Sequence, residues 1–292
     1  MVIIKINGGL GNQMFQYAYA YALALRTGCS ILFDCEEYKG KNIHQGMELE
    51  RIFDIGLDFS SKKQVVELLG FRNKALVRSI LSRWPFTLVS WPYKRQYLDV
   101  FKREYLCVPD GTYVEGYFQS ENFFQDFKNE IKEKFKWDDQ IKPECLSFLK
   151  LINSSNSVSI HIRRGDYLDP KVAKFHGVLG FSYYKKAIEL IEGNVDNPNF
   201  FVFSDDLDWA RELFSSYDGF FFVDSNSGRD SHLDMFLMSQ CKHNIIANSS
   251  FSWWGAWLAE TNEQMVIAPR HWIASNRFSV SNIYPNNWTI ID

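Results

Sequence analysis

The sequence predicts an α/β protein with two halves, each built on a parallel sheet. The chain opens with a β-branched strand, Val2–Ile6, then a glycine-rich turn and a helical pattern, and this order is the unit of a parallel sheet. Alternation of strands and helices restarts at Ser157 and continues to Ala268. The 292 residues are enough for two domains, and a hydrophobic content of 46% gives each a core. We predict two nucleotide-fold-like domains, 1–145 and 146–292, that face each other across a cleft.

The first half contains a clear beginning and a part that is difficult to assign. Apolar residues at helical spacing predict a helix from Gln13 to Arg26, with Gly28 at its end and a second strand at Ser30–Asp34. Between about residues 39 and 113, helical patches alternate with aromatic loops. The helices predicted after the second strand are Lys62–Leu69, Ala75–Leu81 and the amphipathic Phe123–Phe135.

The second half alternates regularly, and short apolar runs predict strands while apolar residues at helical spacing predict helices. The predicted strands are Val158–Ile162, Asn199–Ser204, Gly219–Val223, Asn244–Ala247 and Met265–Ala268. The predicted helices are Ser182–Glu192, Leu207–Phe214, Ser231–Cys241 and Trp253–Glu260.

Composition narrows the function classes. A net charge of −3 provides no general field for nucleic acid or for an anionic membrane. The five cysteines are scattered without a C-x-x-C pair, which favours reduced thiols over a zinc site or a disulfide framework. Neither a signal peptide nor a membrane span is recognisable, so we expect a cytoplasmic protein. Aromatic residues make up 16% of the chain, which suits a sugar-binding cleft, although core packing is their commoner use.

The strongest candidate site follows the strand Val158–Ile162, where the chain reads His161-Ile-Arg-Arg-Gly-Asp-Tyr167. Ligands of open α/β sheets bind at the carboxyl ends of strands. Arg163 and Arg164 carry planar, permanently charged forks that suit phosphate oxygens, and Asp166 lies beside them. A surface salt-bridge cluster is the alternative interpretation.

Two further polar groups follow later strands. Asp205 and Asp206 come after Asn199–Ser204 and could accept hydrogen bonds from a nucleobase or ribose, although Asp206 could simply cap a helix. A carboxylate pair without further oxygen ligands is weak support for Mg²⁺ or Mn²⁺. A run of small polar residues and one aromatic precedes the last helix, where hydroxyls and free N–H groups could hold phosphate or could only cap the helix; it comprises Asn248, Ser249, Ser250 and Phe251.

Together these groups predict a nucleoside diphosphate site on the second half. The loop Gly8–Gln13 would face it from the first half, although its glycines also fit a plain tight turn. His161 and His176 are candidate acid–base groups because imidazole titrates near neutrality, but a single histidine is more often structural.

Four segments resemble the bacterial α-1,2-fucosyltransferases of glycosyltransferase family 11. They are GGLGNQMFQYA at Gly8–Ala18, HIRRGDY at 161–167, FVFSDD at 201–206 and IIANSSFSWWGAWL at 245–258. The resemblance implies a GT-B fold of two Rossmann-like domains, an acceptor-side domain at 1–145 and a donor domain at 146–292. It implies inverting transfer of L-fucose from GDP-β-L-fucose to the 2-hydroxyl of a terminal β-galactose, without a cofactor or divalent metal. The acceptor would be an oligosaccharide or a glycolipid, and a lipid-linked acceptor would bring the chain to a membrane surface.

The resemblance also assigns roles to individual residues. Arg163 would bind the β-phosphate, His161 and either Asp205 or Asp206 would contact guanosine, and Asn12 would approach the donor from the other domain. Arg164 and Asn248–Phe251 complete the expected donor site. The base that accepts the hydroxyl proton is left open among Asp166, Asp169 and His176. Two alternatives also stay open, namely a GDP-sugar transferase with another linkage or acceptor, and a nucleotide- or glycan-binding protein without turnover.

Overall fold

The computed structural model describes residues 1–39, 45–81, 91–96, 101–137, 142–259, 261, 263–274 and 282–292. The chain forms two compact units, one of Met1–Trp137 with Ser281–Ile283 and one of Asp138–Val280 with Tyr284–Asp292. The boundary therefore lies earlier than the predicted one at residues 145 and 146. The reason is that the helix Pro143–Asn153 packs on elements of the second unit. Among the described residues, no helix is long and apolar enough to cross a membrane.

The first unit is built on a four-stranded parallel sheet in the order β2-β1-β4-β3. Its strands are β1 (Val2–Lys5), β2 (Ile31–Asp34), β3 (Tyr93–Arg95) and β4 (Thr112–Glu115). Its helices are α1 (Leu10–Thr27), α2 (Leu49–Ile52), α3 (Lys62–Leu69), α4 (Ala75–Leu81) and α5 (Lys128–Lys134). Helix α1 is buried along most of its length and ends at Gly28, whose φ of 69° is left-handed.

Two helices of this unit differ from the prediction. Helix α1 begins at Leu10 rather than Gln13, because the Gly9 carbonyl already accepts hydrogen bonds from the N–H groups of Asn12 and Gln13. The predicted helix Phe123–Phe135 is instead two short 3₁₀ turns followed by α5. Phe123 and Phe124 are buried side by side, and two adjacent buried residues do not fit the one-sided pattern of a surface helix.

The second unit is built on a six-stranded parallel sheet in the order β10-β9-β8-β5-β6-β7. The strands are β5 (Asn156–Ile162), β6 (Pro198–Ser204), β7 (Phe220–Phe222), β8 (His243–Ile245), β9 (Val266–Pro269) and β10 (Thr289–Ile291). The helices are α6 (Pro143–Asn153), α7 (Pro170–His176), α8 (Phe181–Glu192), α9 (Leu207–Leu213), α10 (His232–Gln240) and α11 (Ser250–Leu258). Helix α11 begins earlier than predicted because Ser249 caps it, and the predicted end at Glu260 lies outside the described residues. The hydrophobic core of the second unit joins the central strands to α8 and α9.

This strand order is that of the dinucleotide-binding α/β fold. The chain leaves β5 toward β6 and β7, then returns to the other side of β5 to form β8, β9 and β10. The direction of winding therefore reverses between β5 and β8. Ligands of such sheets bind outside the carboxyl ends of the strands at this switch point. The predicted arginine motif follows β5, and the predicted Asn-Ser run follows β8, so both groups lie where the fold places a ligand.

Candidate active site

Arg163 is the first residue beyond β5, and two carboxylates hold its guanidinium. Its Nη1 lies 2.9 Å from Asp205 Oδ2, and its Nη2 lies 2.7 Å from Asp166 Oδ1. A Cβ atom on Gly165 would lie only 2.8 Å from Asp205 Oδ2, so the glycine lets the carboxylate approach. The fork is thus held in place by its carboxylates and is partly exposed.

Arg164 is more enclosed than Arg163. Its guanidinium carbon lies 4.0 Å from the centre of the Trp209 ring, and its Nε lies 3.0 Å from Asp206 Oδ2. The other Asp206 oxygen caps α9 by accepting a hydrogen bond from Trp209 N–H, so the alternative capping interpretation is correct for this residue. Asp205 Oδ1 accepts from the Arg164 N–H at 2.8 Å. Both oxygens of each aspartate are thus engaged within the protein.

His161, the penultimate residue of β5, is buried beneath the arginines. Burial is the main cause that lowers its pKa to about 3; Asp205 opposes the shift, and the Arg163 charge adds to it. The imidazole is therefore neutral at physiological pH. Its Nδ1 is buried without a hydrogen-bond partner among the described residues, and its ring lies 5.7 Å from that of Phe251. A neutral ring with an unused nitrogen suits a polar uncharged ligand group better than a proton-transfer role.

The residues that start α11 divide into structural and available groups. Ser249 caps the helix by accepting from Phe251 N–H at 3.3 Å. Asn248 is buried, and its Nδ2 donates to the carbonyl of His176 at 2.9 Å. Ser250 and Phe251 are half-buried in the first turn, where the N–H groups of a nine-residue helix favour an anion.

The three candidate bases have different surroundings. Asp166 pairs with Arg163, whereas Asp169 caps α7 through the N–H groups of Lys171 and Val172. His176 stacks on Tyr167 with ring centres 4.8 Å apart, and burial lowers its pKa. Burial thus favours the neutral form of His176, which a base requires. Which of the three residues accepts the hydroxyl proton stays a prediction.

Asp234, in the first turn of α10, is a candidate that the sequence analysis did not identify. Burial raises its pKa to about 7, although its Oδ1 accepts a hydrogen bond from Asn226 Nδ2 at 2.8 Å. An aspartate in the otherwise apolar run Leu233–Met238 is the signal that could have marked it, since buried charge is costly without a function.

Helix packing places Asp234 at the level of Phe251. Helices α10 and α11 each run from the carboxyl edge of the sheet toward the next strand, so they are parallel. A Cβ on Gly255 would lie 2.8 Å from Met238 Cβ, which makes these two residues neighbours. One turn earlier on each helix stand Asp234 and Phe251, at the edge where β5 and β8 end.

The first unit contains a second polar group at the carboxyl edge of its own sheet. Asn12 lies against Gly8, where a Cβ would approach its Nδ2 to 2.6 Å, and Gly8 has a left-handed φ of 82°. Gln119 Nε2 donates to Asn12 Oδ1 at 2.7 Å, so the Asn12 amide oxygen is already engaged within the protein. The left-handed φ of 52° at the buried Phe118, which costs about 1–2 kcal/mol, turns the chain toward this contact.

Charged residues also lie at the carboxyl edge of the first sheet. Each of the four strands β1–β4 ends on an ionisable residue, namely Lys5, Asp34, Arg95 and Glu115. Lys5 Nζ lies 3.1 Å from Glu37 Oε2 and 3.4 Å from Glu115 Oε1. The Lys5 ammonium is the principal charge that lowers the pKa of Glu115 against the effect of burial. In the strand order of the sheet, negative and positive residues therefore alternate along this edge.

The described residues contain no cluster of three or more histidine, cysteine or carboxylate side chains that could hold a metal ion. The carboxylates nearest to the predicted phosphate site are each paired with an arginine.

Comparison with known proteins then assigns the family. The sequence model of Glycosyl transferase family 11 matches residues 1–292. The chain belongs to glycosyltransferase family 11. It is therefore a glycosyltransferase, and the family that the four segments indicated is confirmed.

Individual family 11 relatives differ in their named activities. An α-1,2-colitosyltransferase of Escherichia coli is 34% identical, over 100% of this chain and 99% of the relative. The O-antigen biosynthesis glycosyltransferase WbnK of Escherichia coli is 35% identical, over 94% of this chain and 95% of the relative. A galactoside 2-α-L-fucosyltransferase of Bos taurus is 28% identical, over 88% of this chain and 64% of that protein.

Solved structures confirm the fold. The α-1,6-fucosyltransferase NodZ soaked with GDP-fucose matches with a TM-score of 0.54 and 16% identity, over 88% of this chain and 92% of that structure. At this identity the likeness concerns architecture alone. The predicted α/β, GT-B-like fold class with two Rossmann-like domains is confirmed.

Proposed function

We propose that this family 11 enzyme transfers L-fucose from GDP-β-L-fucose to the 2-hydroxyl of a terminal β-galactose, with inversion to an α-1,2 linkage. The observation that carries the proposal is Arg163, a preformed guanidinium fork at the switch point of a sheet with nucleotide-binding strand order. The galactoside fucosyltransferase relative supports the sugar and the linkage. In this proposal Arg163 binds the β-phosphate, and Ser250 and the first N–H groups of α11 bind the remaining phosphate oxygens.

Guanine recognition is proposed for Asp234, with Phe251 and His161 beside it. Asp205 and Asp206 have both oxygens engaged with arginines and a helix end, so they serve better to hold the arginines than to bind a base. Asp234 has one oxygen bonded to Asn226 and one available for the N1–H and N2–H of guanine. The Phe251 ring offers an apolar face, and the neutral His161 offers a nitrogen to ribose or base.

The reaction breaks the bond between the anomeric carbon of fucose and the β-phosphate oxygen while the galactose 2-oxygen attacks from the opposite face. Negative charge grows on the departing β-phosphate, where Arg163 can stabilise it more strongly than in the ground state. The hydroxyl proton leaves to Asp166, Asp169 or His176, or to the departing phosphate itself. Asn12, whose amide oxygen accepts from Gln119, is proposed to donate to the donor sugar or phosphate.

The acceptor is proposed to bind at the carboxyl edge of the first sheet. Lys5 provides an ammonium donor and Glu37 and Glu115 provide carboxylate acceptors, and such a set suits the hydroxyl groups of a sugar. On this basis the acceptor-side role that the resemblance implies is proposed for the first unit.

A second donor is favoured by one relative, the colitosyltransferase. Colitose is L-fucose without its 3-hydroxyl group, so the two donors share the nucleotide, the 6-methyl group and the anomeric centre. A site that hydrogen-bonds the 3-hydroxyl would reject colitose strongly, whereas a site that leaves it unbound would accept both.

The test offers GDP-fucose and GDP-colitose separately to the purified chain with lactose, measures GDP release, and assigns the product linkage by NMR. We expect fucosyl-α-1,2-lactose and a higher kcat/KM for GDP-fucose. Preference for GDP-colitose, or a different linkage, would replace the proposal within the family.

We also expect transfer to persist in excess EDTA, because Arg163 and Arg164 supply the positive charge; loss of transfer with recovery in Mn²⁺ would contradict a metal-independent site.

A further inference from the structure

Helix α4 is apolar on two sides, and within the part of the chain that the structure describes only one of them packs into a core. Its sequence, Ala75–Leu81, contains only Arg78 and Ser79 as polar residues. Val77 and Leu81 pack into the core between the helices and the first sheet. Leu76 and Ile80, one turn apart on the other side, are 81% and 53% exposed. A helix that is apolar all round is normally buried, so the outer side of α4 is expected to be covered in function.

Further exposed apolar side chains lie in the turn before α4 and on α3. Phe71 is 64% exposed, and the guanidinium of Arg72 lies 4.4 Å from its ring centre. Val66 on α3 is exposed as well. We call the surface formed by Val66, Phe71, Leu76 and Ile80 the α3–α4 patch.

The local charge identifies the kind of partner. The segment 62–81 contains five basic side chains and one acidic one, Glu67, which gives a net charge of +4, whereas the whole chain carries −3. Lys62, Lys63 and Lys74 are exposed. Apolar and aromatic anchors flanked by lysine and arginine are the composition that places a helix in the interface of an anionic bilayer.

We propose that the α3–α4 patch docks the enzyme on an anionic membrane surface. The exposed leucine, isoleucine and phenylalanine side chains enter the acyl boundary, and the basic side chains of the segment bind lipid phosphates. Because the chain as a whole is negative and this segment is positive, the charge distribution favours an orientation with the segment toward the surface. The proposal does not depend on which sugar the enzyme transfers.

The experiment is co-sedimentation of the full chain with vesicles of phosphatidylcholine alone or with about 30% phosphatidylglycerol, at two salt concentrations. We expect binding to the anionic vesicles only, and at least about tenfold weaker binding at high salt. The double variant Leu76→Glu/Ile80→Glu should lose at least about tenfold in vesicle affinity, since two anchors become charges of the wrong sign.

A matched control is Leu146→Glu/Leu151→Glu on α6, where two leucines are 41% and 43% exposed in the second unit. This control should bind vesicles like the parent. Both variants should keep GDP affinity and melting temperature, because the substituted side chains are outside the core. The proposal is overturned if the parent stays in the supernatant with anionic vesicles, or if both double variants lose binding equally. It is also overturned if the α4 variant changes only the oligomeric state in sedimentation velocity, which would assign the patch to a second copy.

Discussion

Replacement of Arg163 by alanine is expected to lower kcat by about 10²–10³-fold, the range for removal of one preorganised group that stabilises transition-state charge. The two terminal nitrogens of Arg163 contact two separate carboxylates, Asp205 and Asp166. A phosphate that displaces one of these carboxylates can be held by the guanidinium through two parallel hydrogen bonds. Lysine has a single ammonium and cannot reproduce that geometry, so Arg163→Lys should recover only a small part of the rate.

The same contacts predict a small effect on stability. Arg163 and its two partners are partly exposed, and ion pairs of this kind contribute about 0–1 kcal/mol each. The melting temperature of Arg163→Ala should therefore fall by at most about 6 °C. Steady-state transfer and thermal melting, measured on the same preparation, separate the two effects. A matched control is Arg211→Ala, which removes the exposed pair with Asp224 and should leave kcat unchanged. The reasoning is refuted if Arg163→Ala is folded and retains kcat within about threefold of the parent.

Three further outcomes are expected. Asp234→Asn should weaken GDP binding by about ten- to a hundred-fold in calorimetry, the range for one charge-assisted hydrogen bond, whereas Asp208→Asn on the exposed side of α9 should not; equal affinities would exclude Asp234 as the base contact. Because burial raises the pKa of Asp234 to about 7, the folded chain keeps a proton that the unfolded chain loses above about pH 4, so stability should fall from pH 4 to 7 and then level off. Melting curves should show this loss, up to about 4 kcal/mol at about 1.4 kcal/mol per pH unit, and it should be absent from Asp234→Asn; an identical pH profile in both proteins would contradict the raised pKa. Gln119→Ala and Asn12→Ala should each lower kcat/KM for the donor by about tenfold without adding in the double variant, since one acts through the other; additive losses would separate their roles.

Much of the second unit could be predicted because its strands are short apolar runs bounded by polar residues. The strand β5, which ends just before Arg163, is predicted from its apolar run, although the predicted start is two residues too late. The strand ends that position Asp205 and Asn248 follow from similar apolar runs. Placement of polar residues at one edge of a parallel sheet is then a consequence of topology. Helix α7 was not predicted, since Pro170 opens only a short helix without an apolar face of its own.

The parts that could not be predicted depend on long-range contacts. Nothing local indicates that Asp205 meets Arg163, because the pair joins two strands through their shared sheet. The apolar run around Asp234 marks it as unusual, but only the packing of α10 on α11 shows that it lies at the level of Phe251. Phe118 adopts a backbone conformation that phenylalanine rarely takes, so no propensity indicates the turn that connects Gln119 to Asn12.

The pairing of both site arginines with carboxylates has a consequence for selectivity against inorganic anions. Arg163 and Arg164 stand among Asp166, Asp205 and Asp206, which leaves the empty site with one more negative than positive charge. Free phosphate or sulfate must displace an aspartate without any other gain and is disfavoured. A sugar nucleotide makes the same exchange but adds its base and ribose contacts. The enzyme should therefore keep its activity in phosphate buffer and lose it only to competitors that carry the nucleoside.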